Sequence, residues 1–129
     1  MRGFSVSQAT LMRPGALDEL LAELVRRDEI YLARNPSTPP LYASGVRYVA
    51  EPDDSERWLT VPEMRAVGHA DCEDLVSWRV AELRAAGERG ARAFWVSFPP
   101  RVSGGGILYH VLVRRADGRV EDPSRLLGM

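Results

Sequence analysis

The chain has no lysine, one cysteine and two histidines among its 129 residues. All 17 basic residues are therefore arginine, set against 18 acids for a formal net charge of −1. That balance argues against a nucleic-acid or membrane-surface binder, since both need a basic face. A lone cysteine excludes an internal disulfide and a cysteine-rich zinc site. No apolar run approaches the ~18 residues of a membrane span, and residues 1–8 lack the apolar core of a signal peptide. The expected compartment is the cytoplasm, with Cys72 reduced. With Gln8 as the sole glutamine and no lysine, the chain cannot cross-link its own Gln and Lys side chains.

What is present fits a globular domain. Hydrophobic residues make up 45% and charged residues 27%, which excludes disorder and collagen-like repeats. The length suits one domain over 1–129, and no linker divides it. Residues 1–57 read as a lead-in with one helix, and residues 58–129 as the core.

Leu17, Leu20, Leu21, Leu24 and Tyr31 share one helical face, which predicts a helix over 16–33 stopped by Asn35-Pro36. A weak strand is expected within 41–50. Thr60-Val61-Pro62-Glu63 has the spacing of a capping box, so a short helix should run to Val67 and stop at Gly68. Asp71 then caps a second long helix in which Cys72 is the first residue and Gly87 the stop. Aromatic and β-branched runs at 93–98 and 107–114 predict strands joined by the loop 99–106. The second run is apolar on both alternating sets, which predicts a central strand covered on both faces. A turn at Ala116-Asp117-Gly118 leads to a last strand at 119–122, ended by Pro123. Helices first and an antiparallel meander last make the expected class α+β.

Three residues could act together: Cys72 at a helix start, His110 in a strand and Asp122 at the end of the next strand. A helix N-terminus favours the thiolate, which is the nucleophile. An imidazole can take the thiol proton and return it to a leaving group, while a carboxylate on its other nitrogen fixes the tautomer. The final hairpin decides whether His110 and Asp122 can meet. A two-residue Asp117-Gly118 turn would oppose Asp122 to Val113, on the sheet face away from His110. A three-residue loop with Gly118 left-handed would oppose Asp122 to Leu112. Asp122 would then lie on the face of His110 and diagonal to it, at about 7–8 Å between backbones. Asp-Gly suits either loop, so the triad alone selects the second.

These residues resemble a known family. Gly68-His69-Ala70-Asp71-Cys72-Glu73-Asp74, then Tyr109-His110-Val111-Leu112-Val113, then Asp117-Gly118-Arg119-Val120-Glu121-Asp122-Pro123-Ser124 are similar to the core of the transglutaminase-like superfamily, over about residues 58–129. The resemblance implies a papain/transglutaminase-like fold, with the Cys72 helix packed on an antiparallel sheet. It also implies a triad of Cys72 as nucleophile, His110 as base then acid and Asp122 as orienter. The expected activity is cysteine-dependent acyl transfer on amide bonds, as a peptidase or amidase acting on a protein or peptide without a cofactor. The Cys72 backbone N–H offers one oxyanion donor, and Trp58 is the candidate second. The chain also resembles small stand-alone proteins of this type carried by phages and prophages. The alternative is therefore a non-catalytic phage structural or assembly protein that keeps the fold.

Blander roles stand beside these. Asp71 and Asp74 read as capping groups. His69 reads as a loop histidine, with an alternative part as a base or in a metal site with Cys72, His110 and Asp122; no metal is expected. Trp78, Trp95, Phe94 and Phe98 read as core, and Arg26-Arg27 and Arg114-Arg115 as solvated. Ser103-Gly104-Gly105-Gly106 lacks the lysine and helix of a phosphate loop and reads as a turn or flap.

Overall fold

A computed structural model describes residues 1–50, 56–98 and 108–129. The expected start of a strand at Ile107 and the Ser103–Gly106 turn lie outside the described residues. The fold is mixed α+β with small sheets. In chain order the elements are β1 (Phe4–Val6), α1 (Gln8–Leu11), α2 (Ala16–Arg34), β2 (Arg47–Tyr48), β3 (Glu56–Trp58) and α3 (Val61–Val67). They continue with β4 (His69–Ala70), α4 (Cys72–Ala85), β5 (Arg92–Phe98), β6 (Leu108–Arg114), β7 (Val120–Glu121) and α5 (Pro123–Leu126).

Local chemistry sets the helices where expected. In α2, Leu17, Leu21, Leu24 and Val25 are buried on one face, and Asp18 and Glu19 complement the N-terminal dipole. The α3 start is a true capping box: the Thr60 N–H donates to Glu63 Oε1 at 3.0 Å while the Thr60 side chain accepts from the N3 backbone. Gly68 ends α3 at φ 83°, a left-handed position where a Cβ would be strained.

β5, β6 and β7 form an antiparallel sheet with β6 in the middle. Val111 and Val113 point to the face packed by α2 and α4, joining Leu21, Leu24, Val76 and Val80 in one buried cluster. That cluster draws on residues 6–25 as well as 58–113, so the first long helix is part of the core. Burying side chains of this size contributes roughly 1.5–3 kcal/mol each. A second cluster, with Leu41, Met64, Leu75 and Trp78, lies under α3.

Several expectations are corrected. Residues 41–50 hold a 3-10 turn, Leu41–Ala43, and only a two-residue strand, β2, which pairs parallel to β4. The N-terminal arm contains β1, paired antiparallel with β3, and the single turn α1 capped by Ser7. β6 is buried on one face only: Leu108, His110 and Leu112 are half-buried on the other. Phe98 is 53% exposed and so is not core, while Trp78 is fully buried. Of the arginines expected to be solvated, Arg26 is exposed, whereas Arg27 sits over Phe4, Arg114 over Phe94, and Arg115 pairs with Glu88 and Glu121.

One buried acid gives a stability prediction. Asp28 on α2 is fully buried, and its Oδ1 accepts the Val61 N–H at 3.0 Å, capping α3 from a distant element. Burial, followed by the nearby Glu63 charge, raises its pKa well above 3.8, against the pull of the Val61 bond. The folded state therefore holds this proton more tightly than the unfolded one. Stability from this group is full below pH ~4 and is lost as pH rises toward the folded pKa. Asp28→Asn should remove that loss, so the melting temperature of the variant minus that of wild type should increase from pH 4 to 7. A difference that stays constant with pH would show that Asp28 does not titrate differently on folding.

Candidate active site

The site is built where α4 begins beside β6. Asp71 is extended, with φ −93° and ψ 178°, and accepts the Cys72 N–H at 2.7 Å. Asp74 completes the box: its Oδ2 accepts the Asp71 N–H at 3.1 Å and its Oδ1 accepts the Leu59 N–H at 2.8 Å. Both acids are thus helix caps, as expected, and Asp74 also ties the end of β3 to the start of α4.

Cys72 is only 5% exposed. Its Sγ lies 3.4 Å from Glu73 Oε2, to which the thiol donates. Burial first, then the charges of Glu73 and Asp71 and the Glu73 hydrogen bond, push the thiol pKa well above its ordinary value. Against them works a hydrogen bond from the Val111 backbone N–H, which favours the thiolate. The thiol therefore rests protonated, against the residue that follows His110.

The final hairpin adopts the three-residue loop. The Arg115 N–H donates to the Arg119 carbonyl at 2.7 Å, and Val113 and Arg114 pair with Glu121 and Val120. Gly118 takes φ 92°, the left-handed position this loop requires. One residue on from β7, Asp122 falls on the His110 face of the sheet, and its Oδ2 lies 3.0 Å from His110 Nε2. The two side chains are 18% and 21% exposed. Because a carboxylate only accepts, Nε2 carries the hydrogen of this contact, and in the neutral imidazole the lone pair is on Nδ1. Nδ1 has no hydrogen-bond partner among the described residues. Asp122 also serves the helix that follows, since its Oδ1 accepts the Arg125 N–H at 3.4 Å and caps α5.

The structure thus joins His110 to Asp122 directly and sets Cys72 against the neighbouring Val111. Among the described residues no hydrogen bond links Cys72 to His110. The oxyanion expectation fares differently. The Cys72 N–H is engaged by the Asp71 carboxylate, so it can meet an oxyanion only if that cap bond opens. Trp58 is fully buried, its ring 5.8 Å from that of Phe4. His69 is exposed on β4 and pairs in register with Arg47.

Two residues at the site escape sequence reading. Glu73 is one acid among three in a helix start, and only its rotamer toward the thiol distinguishes it. Tyr48 reaches the site through a two-residue parallel pairing that local sequence does not signal. Its phenol is pushed up to about 12, by burial first and then by the charges of Asp71, Cys72, Glu73 and Asp122. Among the described residues one group has potential metal-ligand atoms together, Asp71, Cys72 and Glu73, within 4.8 Å of one another. Asp71 is committed to the cap and the thiol keeps its proton, so this trio is arranged as a hydrogen-bonded cluster. No helix among the described residues is long and apolar enough to cross a membrane.

Comparison with family models, with curated proteins and with solved structures finds no match.

Proposed function

We propose that this chain is a cysteine-dependent acyl-transfer enzyme with a papain/transglutaminase-like core, acting on amide bonds of a protein or peptide as a peptidase or amidase. The observation that carries the reading is the hairpin register. Of two loops equally compatible with Asp-Gly, the chain takes the one that brings Asp122 to 3.0 Å from His110. The Nε2 contact leaves Nδ1 as the available base, so the carboxylate holds one ring nitrogen and the other is left for proton transfer, the division of roles a triad needs.

Since the thiol rests neutral, its proton leaves during attack. His110, whose side chain leaves β6 on the face away from Val111, reaches round the strand edge where the Val111 N–H meets the thiol, and its Nδ1 takes the Sγ proton as sulfur bonds to the carbonyl carbon and the C=O pair moves onto oxygen. Collapse breaks the C–N bond, and His110 returns the proton to the departing amine. Water, deprotonated by His110, then cleaves the thioester and restores the thiol.

The second reading, a phage-type assembly or partner-binding protein that keeps the fold, is favoured by the buried thiol and the engaged Cys72 N–H. Treatment with p-nitrophenyl acetate separates the two. An enzyme should release nitrophenolate in a burst and carry one acetyl group on Cys72, absent in Cys72→Ala. A thiol that stays unmodified until the chain is unfolded would exclude the acyl-transfer reading.

A further inference from the structure

We propose that the Tyr48 hydroxyl is the oxyanion donor of this site, an inference that rests on the acyl-transfer reading above. The need for a donor is plain. The tetrahedral intermediate places a negative oxygen near Asp71, Glu73 and Asp122, and the Cys72 N–H, the donor a helix start would offer, is held at 2.7 Å by Asp71.

Placement supplies the candidate. Tyr48 pairs with Ala70 in the parallel β2–β4 ladder, and parallel partners project their side chains to one face. Ala70 is followed by the cap Asp71 and then Cys72, so the Tyr48 ring stands beside the start of α4. The ring packs against the cluster that contains Cys72. The strand is anchored on both sides of the residue: the Tyr48 N–H donates to the Leu127 carbonyl and the Val49 N–H to the Ala70 carbonyl, each at 2.9 Å. The hydroxyl itself has no hydrogen-bond partner among the described residues.

The surrounding acids suit a donor. Burial first, and then those acids, hold the phenol protonated at any physiological pH, so it can donate to an oxyanion without itself ionising. The charge balance is met at the same moment. His110 is an imidazolium while the oxyanion exists, and it loses its proton as the C–N bond breaks.

Two reagents test this on the full chain. Iodoacetamide alkylates sulfur by displacement at a saturated carbon and forms no oxyanion, whereas p-nitrophenyl acetate acylates through one. In Tyr48→Phe, which keeps the ring and its packing, acylation of Cys72 should fall about 100- to 1000-fold, and alkylation should stay within about twofold of wild type. Acylation within twofold of wild type, or an equal fall with both reagents, would overturn the role of Tyr48. Wild-type protein that alkylates but never acylates would overturn the acyl-transfer reading first and the Tyr48 role with it. If Tyr48→Phe does not fold, 3-fluorotyrosine at position 48 takes its place. The more acidic phenol should raise the acylation rate and leave alkylation unchanged, and equal rates with both reagents would again overturn the proposal.

Discussion

Asp122→Asn is expected to slow acylation of Cys72 by about tenfold or more while the protein stays folded. The carboxylate accepts from Nε2 at 3.0 Å, which holds the ring with its lone pair on Nδ1. An asparagine can present its NH₂ to Nε2 instead. That stabilises the tautomer with hydrogen on Nδ1, where a base is needed, and it withdraws the charge that supports the imidazolium. The fold should tolerate the change because Asn caps helices about as well as Asp, so the Oδ1 bond to the Arg125 N–H has a replacement. Nitrophenolate burst rates and thermal melts, measured on the same samples, check both halves. A loss below tenfold, with the melting temperature unchanged, would mean that Asp122 serves α5 alone.

Glu73→Gln is expected to act in the opposite direction on the thiol. In the wild type, burial, the Glu73 charge and the Glu73 hydrogen bond all favour the protonated form. The amide removes the charge, keeps the volume and leaves burial in place. The thiol pKa should fall. At any pH below that pKa the thiolate fraction rises tenfold for each unit lost. Iodoacetamide labelling of Cys72 at pH 7 should therefore accelerate by about tenfold or more. An unchanged rate would assign the neutral thiol to burial alone.

Local signals make much of this fold legible. The capping box at Thr60, the N-cap at Asp71, the leucine face of α2 and the stop at Gly68 each depend on residues within one or two turns, and each stands where the sequence places it. The elements that escape depend on distant partners. β2 and β4 are two residues each, too short for any alternating pattern, and exist because Arg47 and Tyr48 find His69 and Ala70. β1 likewise needs β3. α5 escapes for a local reason: Pro123 reads as the end of a strand, although Asp before Pro is also how a helix begins.

β6 shows a different limit. Apolar residues on both alternating sets imply two covered faces, yet only Val111 and Val113 are buried. The other face carries His110 and Leu112 half-buried. At the site, the His110–Asp122 pair is legible because hairpin register is arithmetic. The Glu73 contact and the approach of Tyr48 are not, since one depends on a rotamer and the other on a long-range pairing.

The most direct measurement is the site and rate of acetylation by p-nitrophenyl acetate in wild type and in His110→Ala, read by peptide mass and stopped-flow absorbance. The account predicts one acetyl group per chain, on Cys72, and a fall in rate of about 10²- to 10⁴-fold without the imidazole. Acetylation elsewhere, or a Cys72 adduct that forms equally fast in His110→Ala, would contradict it.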